Sequence, residues 1–134
     1  MPTIHSRYLG DLRTEATHLA SGNKMLTDAP VDNQGRGEAF SPSDTVCAAL
    51  GSCMMTIMGI AARTHGINLD GMQADITKFM VSDPRRISKI DIRFYGLNES
   101  PDDRQKVLIE RAARTCPVAL SVHPDIIQEI HFDF

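Results

Sequence analysis

A chain of 134 residues is long enough to bury one hydrophobic core and too short for two independent ones, so a single domain over residues 1–134 is expected. The formal net charge of -3 comes without any Lys/Arg block, which argues against a nucleic-acid footprint and a polybasic membrane anchor and leaves small molecules or protein as partners. Met1-Pro-Thr-Ile-His5 has no basic stretch followed by an apolar one, so a cytoplasmic location is expected, where the three cysteines would persist as free thiols.

The first forty residues read as short strands and turns. Thr3 to Leu9, Arg13 to Ala20 and Lys24 to Asp28 are half-alternating runs separated by Gly10-Asp11 and Ser21-Gly22-Asn23, an antiparallel meander. Pro30 to Ala39, with Asp32, Asn33, Gly35 and Gly37, is a polar loop expected to hold no regular structure and to cross the surface or cover a site with high mobility.

Ser41-Pro42-Ser43-Asp44 is a helix start: Ser41 caps, Pro42 suits the first helical position, and Asp44 can reach back as a capping-box carboxylate. Arg63 and His65 favour the negative end of the helix dipole, and Gly66 supplies a left-handed stop. The helix so bounded is roughly 35 Å long at 1.5 Å per residue. Thr45 to Ala62 carries no charge and approaches the length of a membrane span. Its Gly, Ser and Thr content and the lack of aromatic belts favour instead a helix buried in a globular core or between two subunits. Val46, Leu50, Cys53, Ile57 and Ile60 form one apolar stripe at helical spacing, with Cys53 at its middle.

Gly71 to Val81 and Arg86 to Leu97 are long alternating runs joined through Asp83-Pro84, a predicted hairpin. Ser100-Pro101-Asp102-Asp103 repeats the cap, proline and acid pattern and opens a second amphipathic helix to about Arg114. A short apolar turn follows Cys116-Pro117 to Val122, and Asp125 to Phe134 alternates as a final strand. The predicted class is α+β.

A free cysteine on an apolar helix face usually serves as a small hydrophobe, and Cys47 is read that way. It stands about 240° around the helix from Cys53, so the two thiols point to different faces. Cys53 has Ala48, Ala49, Gly51 and Ser52 beside it, so a ligand or another backbone could approach closely. Pro117 at the first helical position would leave Cys116 at the N-cap, facing unpaired N–H groups and the positive dipole end, which lower a thiol pKa. Cys116 is therefore an activated thiol, a good leaving group, or merely a cap. If Cys53 and Cys116 meet in space, the pair can run a sulfenic acid and disulfide cycle, with Arg7 or Arg13 from the early strands as the cation beside the attacking sulfur. His5, His18, His65, His123 and His131 form no close ligand set with the cysteines, and no phosphate loop or nucleophile elbow is present, so neither metal nor other cofactor is expected.

The run Phe40-Ser-Pro-Ser-Asp-Thr-Val-Cys-Ala-Ala-Leu-Gly-Ser-Cys53, followed 63 positions later by Cys116-Pro-Val, resembles the OsmC/Ohr family of osmotically inducible and organic hydroperoxide resistance proteins, over nearly the whole chain. The resemblance implies an OsmC-like α+β fold and an intertwined homodimer around two long central helices. It also implies a cytoplasmic thiol-dependent peroxidase acting on organic hydroperoxides, with Cys53 peroxidatic, Cys116 resolving and Arg13 rather than Arg7 as the active-site arginine. A dithiol or lipoyl-type protein would be the reductant. In the hydroperoxide resistance branch a Pro-Glu pair opens the central helix and its glutamate holds the arginine; here Ser43 follows Pro42, and Asp44 is the nearest carboxylate to take that role. Val118 stands where that branch has an aromatic residue, which places the chain closer to the OsmC-like branch. The alternative is an OsmC-fold binding or redox-sensing protein that holds a hydrophobic small molecule.

Overall fold

The computed structural model describes all of residues 1–134. The chain forms two compact units, residues 1–46 and residues 47–134.

The first unit is the expected meander. Strands β1 (Ile4–Gly10), β2 (Arg13–His18) and β3 (Lys24–Asp28) pair antiparallel in the order β1-β2-β3. The second turn is tight: the His18 N–H donates to the Asn23 carbonyl at 2.8 Å, and Gly22 takes the positive φ of 78° that closes it. This turn fixes the register, and with it the pairing of Arg13 with Asp28 across β2 and β3. The polar loop that follows is not wholly irregular, because Val31–Asn33 makes one 3-10 turn. Gly35 and Gly37 fold the loop back, donating to the Pro30 and Ala29 carbonyls.

Helix α1 (Pro42–His65) begins at the predicted capping box. The Asp44 N–H donates to Ser41 Oγ and the Ser41 N–H donates to Asp44 Oδ2, both at 3.0 Å. At the other end Gly66 sits at φ 67° and the Ile67 N–H donates to the Ala62 carbonyl at 2.9 Å, the six-to-one bond of a Schellman stop.

In the second unit β4 (Gln73–Val81) and β5 (Arg86–Tyr95) form the expected hairpin, and β6 (Ile127–Phe132) pairs with β5 in parallel. A parallel partner requires a crossover, and α2 (Asp103–Arg114) and α3 (Pro117–Ser121) supply it. The cap of α2 differs from the expectation. Asp102, not Ser100, is the N-cap, because Gln105 lies three residues on and closes a reciprocal box at 2.8 and 3.0 Å.

The core joins Leu50, Met54 and Met58 of α1, Ile90, Ile92 and Phe94 of β5, and Ile109 of α2, none with any exposed surface. Burying each such side chain contributes about 1.5–3 kcal/mol. The helix approaches β4 closely at Gly51, where an added Cβ would lie 2.5 Å from Ile76 Cδ1. The apolar stripe read from the sequence is therefore displaced. Cys47, Leu50, Gly51, Met54, Met58 and Ala62 are buried, whereas Val46 and Ile60 are exposed and Cys53 and Ile57 lie at the boundary. A helix with apolar residues all round offers no unique stripe, and packing against β5 selects the one that is used. By length and composition α1 would also suffice to cross a bilayer.

Candidate active site

Cys53 lies half-buried at the edge of the α1 core stripe, packed against the second unit's core. Cys116 is wholly buried. It occupies the N-cap of α3 with Pro117 at the first helical position, as its sequence context predicts, and its sulfur accepts from the Ala119 N–H at 3.4 Å.

The electrostatic consequence runs against expectation. Burial pushes the Cys116 thiol up, and a hydrogen bond and charge repulsion from Cys53 push it further, while the Ala119 and Val118 N–H groups pull it down and do not prevail. The helix end that should activate this thiol is outweighed by loss of water. Cys116 is thus neither an activated nucleophile nor a favoured leaving group; its thiol holds its proton more firmly than an ordinary cysteine, in part because of Cys53. All three cysteines are free.

Arg13 opens β2 and directly faces Asp28, the last residue of β3. Its Nε and Nη2 donate to Asp28 Oδ1 and Oδ2 at 2.7 and 2.8 Å, a two-pronged guanidinium–carboxylate pair. Asp28 has no exposed surface, and its Oδ2 also accepts the Glu38 N–H at 3.2 Å. The Glu38 carboxylate itself stands 3.5 Å from Arg13 Nη2 and is largely exposed. The Arg13 hydrogen bonds hold the Asp28 carboxyl below the usual carboxylate range against the opposing effect of burial, and Asp28 keeps the guanidinium more firmly charged than usual. Arg7 is exposed on β1.

The carboxylates found on Arg13 are those of Asp28 and Glu38, which sequence reasoning alone does not single out. The resemblance gives that role to Asp44, whose carboxylate accepts the Ser41 N–H at the head of α1. A signal for Asp28 existed in the hairpin register, since Arg13 and Asp28 each stand five residues out from the His18 and Asn23 pair that closes the turn. No such signal existed for Glu38, which an irregular loop delivers.

The family model described as OsmC-like protein matches residues 35–130. A crystal structure of a proposed osmotic stress induced and detoxification response protein from Psychrobacter arcticus 273-4 is 50% identical, with a TM-score of 0.95 over 98% of this chain and 96% of that one. An organic hydroperoxide resistance protein OsmC from Legionella pneumophila shares the fold at 13% identity, with a TM-score of 0.74 over 100% and 98% of the two chains. An OsmC like protein from Mycoplasma pneumoniae does so at 14% identity and a TM-score of 0.78, over 96% and 93%. Among curated proteins none matches. The α+β fold with its two three-stranded sheets, the family model across most of the chain and the half-identical Psychrobacter structure agree: this chain belongs to the OsmC-like protein family.

Proposed function

We propose that this OsmC-like protein is a thiol-dependent peroxidase that reduces organic hydroperoxides through Cys53 and Cys116 in defence against oxidative stress. The observation that carries the reading is the unequal thiol pair. Cys53 is half-buried on α1 and can be reached, while Cys116 is fully buried, pushed up in pKa and held close enough to Cys53 to be perturbed by it. That asymmetry suits an attacker and a resolver.

In this cycle the Cys53 thiolate attacks the distal peroxide oxygen, the O–O bond breaks, and the alkoxide leaves and takes a proton to become the alcohol. The Cys53 sulfenic acid then condenses with the Cys116 thiol, forming the S–S bond and releasing water. An external dithiol, a lipoyl-type protein by family analogy, reduces the disulfide by exchange and is itself oxidised. Arg13, kept charged and aimed by Asp28, would stabilise the attacking thiolate and polarise the peroxide. No metal or other cofactor enters this cycle.

The active form is read as a cytoplasmic homodimer. Large apolar side chains left exposed within one chain support the dimer, among them Ile60 on α1 and Tyr8 and Met25 on the first sheet. The burial of Leu50, Met54 and Met58 in a protein core supports reading α1 as a packed helix and not a bilayer span.

A second reading, a binding protein for a hydrophobic small molecule, is favoured by one observation. An open groove of about 560 Å³ runs beside α1, lined by Ala48, Gly51, Met55, Thr56 and Ile76 among others, and Cys53 is not part of its wall.

The two readings separate in one experiment. Purified protein is given one equivalent of an organic hydroperoxide and its intact mass is measured, and peroxide consumption with a dithiol is compared with Cys53→Ser. Loss of two hydrogens per chain and an inactive variant support the peroxidase; unchanged mass, or equal rates in both proteins, sinks it.

A further inference from the structure

The geometry points to a divalent-cation site on the second sheet, built by Asp91, Glu129 and His131 and suited to zinc. It lies on the polar face of the sheet and draws on none of the residues of the thiol pair.

The sequence sets this cluster out of view because Asp91 stands 38 and 40 residues before Glu129 and His131, and no short ligand motif joins them. The parallel register brings them together. Asp91 pairs directly with Glu129 across β5 and β6, and His131 lies two residues beyond Glu129, on the same face. Ile90, Ile92 and Ile130 alternate with them into the core, so the three polar side chains stand opposite the buried face.

The distances suit coordination. One ligand atom from each residue lies within 4.8 Å of the others, with His131 Nε2 at 3.4 Å from Asp91 Oδ2 and 4.0 Å from Glu129 Oε1. Nitrogen and oxygen ligands about 2.1 Å from a tetrahedral ion stand roughly 3.4 Å apart, so one edge is already in place and small side-chain rotations supply the others. Glu129 is also held from its far side. Lys89 Nζ contacts Oε2 at 3.0 Å, which leaves Oε1 facing His131. Such an outer partner orients a ligating carboxylate.

Asp91 and Glu129 bring two negative charges against the single positive charge of Lys89, and Arg93 on the same face is engaged by Asp133 at 2.6 Å. The carboxylates therefore leave the cluster with a net negative charge that favours a bound cation. All three residues are partly exposed, so an ion can enter and water can fill the fourth position. An imidazole among the ligands selects a borderline ion such as zinc over calcium or magnesium, which take oxygen alone. A bound ion would clip β6 to β5 and stabilise the sheet by linkage.

The probe is the full-length protein titrated with Co²⁺ as a spectroscopic stand-in, followed by displacement with Zn²⁺. Expected are one ion per chain, visible cobalt bands of nitrogen and oxygen ligation without a thiolate charge-transfer band, and a rise in Tm with Zn²⁺. H131Q and D91N, each checked for folding by circular dichroism, should weaken binding at least about tenfold, the scale of even an outer-partner loss. C53S should leave it unchanged. Absence of binding, a thiolate band that disappears in C53S, or undiminished binding in either folded H131Q or D91N would overturn the assignment.

Discussion

Asp28 holds Arg13 by both carboxylate oxygens, at 2.7 and 2.8 Å, with the acid fully buried and the arginine still partly open to solvent. A planar guanidinium gripped at Nε and one Nη has little rotational freedom left, so its remaining donors point in a fixed direction. The carboxylate thus acts on the arginine's aim as well as its charge.

Asp28→Asn tests that positioning. The amide keeps the shape but offers only one acceptor oxygen and no charge, so the grip becomes single and weak. Under the peroxidase reading kcat/KM for an organic hydroperoxide should fall on the order of 10²-fold, the scale of a misplaced catalytic group. The disulfide should still form after prolonged peroxide exposure, because both thiols remain. Unchanged steady-state kinetics in a folded Asp28→Asn would show that the arginine does not depend on this acid.

The same pair should govern acid stability, and the sign follows from the direction of the shift. Arg13 depresses the native pKa of Asp28 below its ordinary value of 3.8, so the native state favours the ionised form. The resulting stability is fully present well above that value and is lost as pH falls through the depressed native pKa. Urea midpoints of wild type and Asp28→Asn, measured from neutral pH downward, should differ by a constant amount and then converge in acid. A gap that widens in acid would contradict the assignment.

The loop that brings Glu38 to Asp28 has a steric requirement at Gly35. A Cβ there would stand 1.7 Å from the Ala29 carbonyl oxygen and 2.1 Å from its carbon, and backbone cannot swing aside as a side chain can. Gly35→Ala should therefore destabilise the chain by about 1–3 kcal/mol in equilibrium unfolding, the usual cost of overpacking. It should also loosen Glu38 from Asp28, which faster amide exchange at Glu38 would report. Wild-type stability and exchange would show that the loop rearranges at no cost.

How far the sequence discloses this architecture depends on whether the determinant is local. The α1 capping box, the Gly66 stop and Cys116 at the head of α3 each rest on residues a few positions apart, and each is legible. The buried stripe of α1 is not, because a helix apolar on every side leaves the choice to Ile90, Ile92 and Phe94, some forty residues on. The parallel pairing of β6 is hidden for the same reason, and so is the meeting of Asp91 with Glu129 and His131. Asp28 lies between these cases: hairpin register points to it, but only once the turn is placed at Ser21-Gly22. At Cys116 the local context is legible and its electrostatic outcome is not, because the dipole is written in Cys-Pro and the burial is written elsewhere.

That last conflict yields a chemical prediction. Helix-end donors lower the Cys116 pKa, burial raises it, and burial wins, so this thiol remains protonated where an ordinary cysteine begins to ionise. Only the thiolate alkylates, and Cys116 has no exposed surface through which a reagent could reach it. Iodoacetamide pulse labelling of the reduced protein near pH 8, read by peptide mass, should therefore mark Cys53 at least about tenfold faster than Cys116, because burial both shields Cys116 and holds its proton. In Cys53→Ala the hydrogen bond and charge that Cys53 adds are gone, so the pH at which folded Cys116 labels should move down toward its ordinary value of 9.0. Cys116 labelling as fast as Cys53 would remove the distinction between attacker and resolver, because the helix end would then have offset burial.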